Sequence, residues 1–358
     1  MAGRRRHTSR LRPSRDLPFR TNHRADVAGG AGCASSGVRR AAHGDRRPHF
    51  VAGAVVSDLA PLLHATSRTF ALSIPLLPST CRDATTVAYL LFRIADTLED
   101  EAEWPTTRRI EALDEFAALL RGERPDAARE RVIRLLATAP VAHAGYAALM
   151  ANAGEVLQQL DELDSVAATA IPRHLCRTIA GMREFLAREQ GATSVADLQA
   201  YCYAVAGIAG ELCTELFVAA MPQLQPIHTQ LVRLGVAFGE GLQLVNILKD
   251  EDGDALVGRR YVPLHCDRSA LFSLAEDDLR QAARYVDLLE RHGASRGIVA
   301  FNALNLRLAR WALRRVHDQG SGAKLIREEV VRAYTEISLE ATGVPERHRM
   351  CSERVRDG

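Results

Sequence analysis

Four carboxylates occur within five positions of one segment, KDEDGD, which spans residues 249–254. They belong to Asp250, Glu251, Asp252 and Asp254. Like charges at this spacing repel one another, and the dipole of a helix disfavours acids at its C-terminal end. The segment therefore predicts either a solvated helix end, where acids are common, or a cation that the carboxylates share.

The residues before this segment place its acids on a defined face of a helix. An apolar stripe with spacings of three and four residues is formed by Leu234, Phe238, Leu242, Val245 and Leu248. A polar stripe on a different face is formed by Gln243, Asn246, Asp250 and Asp254. Amide and carboxylate groups on a largely apolar helix need partners. The pattern predicts a buried helix with one ordered polar face.

A second stretch, YLLFRIADTLEDEAE at residues 89–103, repeats this arrangement. Its polar stripe consists of Tyr89, Arg93, Asp96 and Asp100, at spacings of four, three and four residues. Glu99 lies beside this stripe, and apolar residues such as Leu90 and Ile94 cover the other faces. Again a polar stripe ends in acids on a helix that is otherwise typical of a protein core.

Each of the two predicted helices thus presents a pair of aspartates one turn apart, Asp96 with Asp100 and Asp250 with Asp254. Magnesium ions take oxygen ligands, and proteins usually hold them with one or two carboxylates together with phosphate groups of a substrate. Two facing pairs therefore predict a site for Mg²⁺ and a diphosphate. Either cluster alone would fit a solvated helix end, but the occurrence of both favours metal binding.

A diphosphate also requires cations from the protein, and arginine suits bidentate contact with phosphate. Candidates are Arg68, Arg93 and the pair Arg259–Arg260, while Lys249 is one of only two lysines in the chain. Gly258 permits a tight turn just after the second acid cluster. Such a turn would bring Arg259 back toward the acids.

A third stretch, LQAYCYAVAGIAGELCTELF at residues 198–217, carries two glycines inside a predicted helix. Gly207 and Gly210 each cost about 1 kcal/mol relative to alanine. They predict the close approach of another helix or of a ligand. Tyr201 and Tyr203 add hydroxyl groups and ring faces nearby, although a tightly packed core helix would fit equally well. We expect a structural or rim role for the acids Glu211 and Glu215.

The elements that carry these residues are helical throughout. Periodicity predicts helices over roughly 57–72, 79–101, 106–121, 127–138, 143–164, 172–189, 195–220, 225–251, 276–291, 294–318 and 322–341. Prolines are expected between these helices or at their starts. We predict a single all-α domain over residues 57–343, a disordered leader over 1–50 and a C-terminal tail over 344–358.

Composition supports this division. Residues 1–50 hold twelve arginines and three acids, and they lack the apolar stretch of a secretory signal. We interpret them as a leader or as sequence translated from upstream of the true start; nucleic-acid binding and a transit peptide fit less well. Seven scattered cysteines without a CxxC pair predict free thiols in a cytoplasmic protein. No run of eighteen apolar residues is present, so we expect no transmembrane helix, and peripheral membrane contact stays open.

Four motifs together resemble one known family. SRTFALSIPLLP, LFRIADTLEDE, YCYAVAGIAGE and QLVNILKDEDGDALVGRRYVP occur in the order and spacing of the squalene/phytoene synthase family, over about residues 57–340. The resemblance implies an all-α class I isoprenoid synthase fold around a central cavity. It also implies Mg²⁺-dependent, head-to-head joining of two allylic prenyl diphosphates, with the two aspartate motifs facing each other across the cavity mouth.

The resemblance also implies roles for particular residues. Asp96, Asp100, Asp250 and Asp254 match the metal-binding aspartates, which also serve catalysis. Residues that contact the diphosphate or line the site are matched by Arg68, Tyr89, Arg93, Gln243, Asn246 and Arg259. Tyr201 matches a tyrosine linked to proton transfer or cation steering, and Tyr203 and Phe70 could add ring faces.

The chain departs from the family pattern at three positions. Gly253 stands where an acid usually precedes the last aspartate, Lys249 replaces a more common arginine, and Ala204 replaces a bulkier residue. The first two bear on metal affinity. The third predicts a wider cavity and bears on the length of the substrate.

The product stays open from the sequence. Farnesyl diphosphate is favoured as substrate, through a cyclopropylcarbinyl diphosphate to a C30 squalene-type product; a phytoene synthase acting on geranylgeranyl diphosphate is the alternative. NADPH is required only if the product is squalene. Rival interpretations are a terpene cyclase, a head-to-tail chain elongator, and a non-catalytic family member that acts as a scaffold. No nucleic-acid partner is expected.

Overall fold

A computed structural model describes residues 58–123, 126–188, 191–256 and 258–342. All of them belong to one compact unit, Ala54–Gly358. The predicted leader at 1–50 and tail at 344–358 lie outside the described residues.

The described residues form helices joined by turns, with no strand among them. The α-helices are α1 Ala60–Thr66, α2 Phe70–Ser73, α3 Ser79–Asp100, α4 Thr106–Leu120, α5 Asp126–Ala137, α6 Ala144–Ala151, α7 Ala153–Glu162, α8 Ser165–Leu186, α9 Val195–Cys202, α10 Ile208–Ala220, α11 His228–Leu256, α12 Arg268–Arg291, α13 Arg296–Gln319 and α14 Arg327–Thr342. Short 3₁₀ segments cover Ile74–Leu76 and Pro222–Ile227. The prediction of an all-α fold is confirmed.

Several predicted helix boundaries were wrong, two of them because capping signals were missed. Helix α8 begins seven residues before Pro172, since the Asp164 side chain accepts hydrogen bonds from the first free amides, and Pro172 lies inside the helix. Helix α12 begins at Arg268 rather than near residue 276, because Asp267 caps it in the same way. Helix α11 continues through the acids to Leu256 instead of ending at residue 251.

Three predicted helices are also divided. The stretches predicted at 57–72 and 143–164 each form two helices. The stretch predicted at 195–220 is interrupted by a π-helix at Tyr203–Gly207. Such π-helical turns are rare and occur frequently at functional sites.

Glycines bring α10 and the preceding π-helix into backbone contact with α11. A Cβ added at Gly210 would lie 2.0 Å from the carbonyl oxygen of Gly235, and one added at Gly239 would lie 2.0 Å from that of Ala206. No other residue fits such an approach. The predicted close approach of another helix at Gly207 and Gly210 is confirmed.

Helix α10 stands between two hydrophobic cores. Its Leu212 and Leu216 pack into a core formed mainly by α3 to α8, while Phe217 and Val218 pack into a core formed mainly by α9 to α13. Because α10 also packs against both α3 and α11, it fixes the spacing of the two helices that carry the acidic segments.

Two helical stretches are long and apolar enough to cross a membrane by length and composition alone, Val195–Ala220 and Pro222–Leu256. The expectation of no transmembrane helix stays a prediction, because length and composition alone do not distinguish a membrane span from a buried core helix. In the fold, 50% and 56% of their most apolar windows are buried inside the protein. Core helices share this composition.

Candidate active site

The first acidic segment, residues 96–100, lies at the C-terminal end of α3. One turn earlier, the guanidinium of Arg93 forms an ion pair with Asp96. The carbon of that guanidinium lies 5.7 Å from the centre of the Tyr89 ring and 5.4 Å from that of the Tyr146 ring. Two aromatic faces therefore hold the cation over the acids, as cation–π contacts do.

Tyr89 connects this segment to the N-terminal helices. Its hydroxyl donates a hydrogen bond to the backbone oxygen of Thr66 at 3.0 Å, and its ring lies 5.3 Å from the ring of Phe70. In the sequence, Arg68 lies between Thr66 and Phe70, and its side chain is exposed. The motif that carries Arg68 is thus anchored beside the polar stripe of α3.

Asp100 forms an ion pair with Arg259, whose Nη1 lies 2.9 Å from Oδ1 of the aspartate. Nη2 of the same arginine donates to the backbone oxygen of Asp100. Burial raises the pKa of Asp100, and the neighbouring charge of Asp96 acts in the same direction, while Arg259 opposes both. The segment thus holds three acids, Asp96, Glu99 and Asp100, against two arginines, Arg93 and Arg259.

Glu99 is the most deeply buried acid of this segment, with only 3% of the residue exposed. The hydroxyl of Tyr201 donates toward both of its carboxylate oxygens at 3.4 Å, and Arg109 donates to its backbone oxygen at 2.9 Å. Burial, followed by the charges of Asp100 and Asp96, raises the pKa of Glu99 well above its ordinary value. Burial also raises the pKa of the Tyr201 hydroxyl.

Three aromatic rings form a stack beside these acids. The ring of Tyr201 lies 4.3 Å from that of Phe185 and 5.0 Å from that of Tyr261. Phe185 and Tyr261 line a cavity of about 1290 Å³ that also reaches Glu99, Asp100 and Arg259. The acidic end of α3 and these ring faces therefore share one chamber.

Many of the other residues that line this chamber are polar or basic. It includes Thr106, Thr107, Arg109, Ile110, Leu186, Ala187, Arg188, Gly191, Ala192, Thr193, Ser194, Val195, Ala255, Gly258, Arg260, Pro263, Leu264, His265 and Cys266. Arginine and histidine side chains around such a space suit an anionic ligand.

The second acidic segment, residues 249–254, lies near the C-terminal end of α11. Lys249 Nζ is 3.2 Å from Oδ2 of Asp250 and donates to Oδ1 of Asn246 at 3.0 Å. Gln243 lies one turn earlier and is half-buried. Burial raises the pKa of Asp254, and the charge of Asp250 adds to this, against Arg259 and Lys249.

A turn at Gly258 joins the two segments. This glycine has a φ of 77°, and the following amide of Arg259 donates to the backbone oxygen of Asp254 at 2.8 Å. The arginine side chain then reaches Asp100. The predicted return of Arg259 toward the acids is confirmed. Asp254 also raises the pKa of Asp100, so the two acidic segments influence each other electrostatically.

Two other sequence interpretations concern α10. Glu211 and Glu215 bind Arg177, Arg173 and His174 of α8, which confirms their structural role. Tyr203 also belongs to this network: its hydroxyl accepts from Arg177 at 2.6 Å and donates to Glu211 at 2.9 Å.

The interpretation of Ala204 as a residue that widens the cavity was wrong. A Cβ added at Gly181 of α8 would lie 2.3 Å from the Cβ of Ala204. The alanine therefore faces a neighbouring helix, and its small size serves helix packing.

The sequence analysis gave no role to Glu99, Phe185, Tyr261 or Tyr146. Tyr261 follows the two arginines of the GRRYVP segment, so its position next to Arg259 was a usable signal. Phe185 and Tyr146 lie far from the motifs in sequence, and only the packing of α6 and α8 brings them to the site. The five cysteines described, Cys81, Cys176, Cys202, Cys213 and Cys266, are free as predicted.

The donor set suits a hard divalent cation. In the part of the chain that the structure describes, no three His, Cys, Asp or Glu side chains converge as a ready-made metal cage. Instead, the pKa values of Asp100 and Asp254 are raised, although the cations Arg259, Arg93 and Lys249 near them act in the opposite direction. Oxygen donors in this arrangement fit Mg²⁺, which is usually bound by one or two carboxylates together with substrate phosphates.

The described residues have the all-α fold of isoprenoid synthases. Residues 63–266 match the squalene/phytoene synthase family, more than half of the chain, and the chain belongs to that family.

Curated relatives are squalene synthases. Squalene synthase BSS of Botryococcus braunii is 30% identical over 192 residues, which cover 53% of this chain and 38% of that protein. The squalene synthase of Nicotiana benthamiana is 30% identical over 189 residues, covering 53% and 42%. The chain thus matches less than half the length of these relatives.

Solved structures share the fold. The complex of TcSQS with the ligand BPH1237 superposes with a TM-score of 0.65 at 23% identity, covering 79% of this chain and 86% of that one. A dehydrosqualene synthase in complex with a ligand gives a TM-score of 0.52 at 18% identity, covering 79% and 96%.

Proposed function

We propose that this chain is a prenyltransferase that joins two allylic prenyl diphosphates head to head in the presence of Mg²⁺. Farnesyl diphosphate is the favoured substrate and a C30 squalene-type hydrocarbon the favoured product. The observation that carries this proposal is the joining of two acidic helix ends by Arg259, beside a chamber of about 1290 Å³ that Phe185 and Tyr261 help to line. The squalene synthases among the relatives favour the C30 product.

The site residues divide into cation holders and anion holders. Asp96, Asp100, Asp250 and Asp254 would hold Mg²⁺, which when bound supplies positive charge to the leaving diphosphate. Arg259, Arg93 and Lys249, now paired with these acids, would then be available to diphosphate oxygens. Arg68, Tyr89, Gln243 and Asn246 would complete the pocket for the diphosphate.

The first step breaks the C–O bond of one substrate, and the diphosphate leaves with the electron pair. The double bond of the second substrate attacks the allylic cation, and loss of a proton closes the cyclopropane ring of a cyclopropylcarbinyl diphosphate. Tyr201 is the group that we assign to proton transfer or cation steering, since its ring and hydroxyl adjoin the chamber. Phe185 and Tyr261 exclude water and offer ring faces to the cation.

A second ionisation releases the other diphosphate, and rearrangement gives the C30 cation. Hydride from NADPH would end the reaction as squalene, whereas loss of a proton would give dehydrosqualene. The chamber lining fits an anionic reductant, because Arg109, Arg188, Arg260 and His265 all contribute to it. We therefore propose NADPH as a cosubstrate if squalene is the product.

Mass spectrometry of the products tests this proposal. The protein is incubated with Mg²⁺ and either farnesyl or geranylgeranyl diphosphate, each with and without NADPH. We expect a C30 hydrocarbon from farnesyl diphosphate and a cyclopropylcarbinyl diphosphate at short times. A larger yield of C40 phytoene from geranylgeranyl diphosphate would move the assignment to a phytoene synthase.

Two further arms separate the rival functions. Addition of isopentenyl diphosphate tests for a chain elongator, which would make longer linear diphosphates only in its presence. A single-substrate cyclic product would indicate a terpene cyclase. A protein that is folded but makes no product in any arm would fit the non-catalytic scaffold and refute the proposal.

We also propose a cytoplasmic protein with peripheral membrane contact. Leu256 and Leu264 are 88% and 69% exposed, and they flank the turn after the second acidic segment. Leu264 lines the chamber as well. Exposed apolar side chains beside a chamber for an isoprenoid would suit delivery of that substrate from a lipid surface.

A further inference from the structure

The second acidic segment is held from behind by a turn that lies outside the site. This turn joins α13 to α14 and contains Gly320, Ser321 and Gly322 in the sequence GSG. The backbone oxygen of Lys249 accepts hydrogen bonds from the Gly322 amide at 2.7 Å and from Ser321 Oγ at 3.2 Å. Two bonds from one turn thus meet at the residue just before Asp250.

The hydroxyl of Ser321 has a second contact with the same segment. Its oxygen accepts a hydrogen bond from the backbone amide of Asp252 at 3.1 Å. Ser321 therefore bridges a carbonyl and an amide on either side of Asp250, and both groups belong to the backbone of α11. In a helix these groups normally bond only within the helix. External bonds at both therefore fix the local backbone from which Asp250 and Asp254 extend.

The glycines of the turn give it its shape. Gly320 and Gly322 have φ values of 88° and 82°, in the left-handed region that favours glycine. A Cβ added at either would meet nothing within 4 Å, so packing does not require their small size. Their role is conformational: they direct the Gly322 amide and the Ser321 hydroxyl at α11.

A second contact holds the same segment from α12. Arg268, the first residue of that helix, forms an ion pair with Glu251. Its guanidinium carbon also lies 5.7 Å from the centre of the Phe272 ring, which in turn contacts His317 of α13 at 5.2 Å. These contacts use the side chain of Glu251 and the backbone of α11, and none of them uses the carboxylate of Asp250 or Asp254.

We propose that Ser321 is a positioning residue: through the GSG turn it sets the orientation of the second acidic segment for cation and diphosphate binding. The proposal rests on the function proposed above for Asp250 and Asp254. Sites of this kind tolerate displacements of only about 0.5 Å, and groups that orient metal ligands without touching the metal often change affinity about 10- to 100-fold when removed.

The test compares three single variants. Ser321→Ala removes both bonds of the hydroxyl and keeps the glycines, while Ser321→Thr restores a hydroxyl. Ser273→Ala is the matched control, because Ser273 and Ser321 line one cavity of about 640 Å³ and Ser273 is exposed. Manganese binding in the presence of inorganic diphosphate is measured by electron paramagnetic resonance, and the Mg²⁺ dependence of turnover is measured alongside.

We expect Ser321→Ala to weaken Mn²⁺ binding about 10-fold and to raise the Mg²⁺ concentration for half-maximal turnover by a similar factor. Ser321→Thr should restore at least half of this loss, and Ser273→Ala should match the wild type. Thermal unfolding without metal reports the stability of each variant, and we expect Ser321→Ala to shift the Tm by less than about 4 °C. Arg268→Gln, acting from the α12 side, should weaken Mn²⁺ binding in the same direction by a smaller factor.

Unchanged Mn²⁺ affinity in Ser321→Ala, with any change in Tm, would overturn the inference and leave the turn as a stability element. An equal loss of Mn²⁺ affinity in Ser273→Ala would overturn the inference as well. So would a wild-type protein that binds no Mn²⁺ in the presence of inorganic diphosphate. A wild type that binds Mn²⁺ but makes no product would refute the proposed function alone, because the binding measurement still decides the role of Ser321.

Discussion

The two acidic segments have the same spacing of aspartates but different surroundings. The first, at the end of α3, contains a buried acid: Glu99 is 3% exposed, and Tyr201, Arg109 and Arg259 contact this segment. We call it the enclosed segment and the second the open segment; the side chains of Asp96 and Asp100 are 37% and 38% exposed. The second, on α11, is open, and the side chain of Asp250 is 48% exposed. Its backbone is held instead from the rear, by the turn at Ser321.

This difference shows two ways to keep like charges together. In the enclosed segment, burial raises the pKa of Glu99 and of Asp100, which disfavours their ionised forms. In the open segment, Asp250 is more exposed to water, which screens its charge, and the turn at Ser321 holds the backbone. Arg259 belongs to both segments, by its side chain to the first and by its amide to the second.

The largest expected effect follows from removing one aspartate of each segment. Asp96→Ala and Asp250→Ala should each lower turnover of farnesyl diphosphate by at least about 10³-fold, because several kcal/mol of charge stabilisation would be lost. Far-UV circular dichroism should show an unchanged helical content. Steady-state kinetics at saturating Mg²⁺ measure the effect.

The matched control is Asp83→Ala, which removes an exposed acid from the same helix as Asp96. It should leave turnover within about twofold of wild type, as surface substitutions usually do. Near-normal turnover in either Asp96→Ala or Asp250→Ala would show that the two segments are not equivalent and that the reaction depends on only one of them.

An intermediate effect concerns the buried charge of the enclosed segment. The pKa of Glu99 is raised above its ordinary value of 4.5 by burial and then by Asp100 and Asp96. The folded protein therefore binds this proton more tightly than the unfolded chain, and stability from this group, fully present below pH 4.5, is lost as the pH rises toward the raised pKa. Glu99→Gln removes this loss and keeps an acceptor for Tyr201.

We accordingly expect the Tm of Glu99→Gln to gain on that of the wild type as the pH is raised from 5 to 8, in buffer with a chelator. Differential scanning calorimetry at several pH values measures the gain. A Tm difference that stays constant over this range would show that Glu99 is ionised in the folded state, and the contrast between an enclosed and an open segment would lose its main support.

The smallest expected effect concerns the open segment. A Cβ added at Gly253 would meet nothing within 4 Å, and the residue lies inside α11. Gly253→Ala should therefore stabilise the protein by up to about 1 kcal/mol, since glycine is the poorer helix former. Urea denaturation measures the change. A destabilised variant would mean that the end of α11 depends on the freedom of this glycine.

The sequence predicts those features that depend on nearby residues. The acid pairs follow from helical spacing, and the return of Arg259 follows from a glycine placed where the chain must reverse. The close contact at Gly207 and Gly210 follows from the cost of glycine in a helix.

Features that depend on distant residues were not predictable in this way. Phe185, Tyr201 and Tyr261 come from three separate elements, and no local pattern indicates that their rings stack. The π-helix at Tyr203–Gly207 leaves the apolar periodicity of its neighbours almost unchanged, so it is invisible in a sequence window. The start of α8 was missed because a proline inside the helix outweighed the capping signal at Asp164.

The crossing of α10 with α11 restricts how this protein can diversify. Main chain touches main chain at Gly210 and Gly235, so neither position can gain a side chain without separating the helices. Under the proposed function, selection for longer or shorter substrates must then act on other residues, such as those that line the chamber. Directed evolution of product length should accordingly leave these glycines fixed and collect its substitutions on other helices.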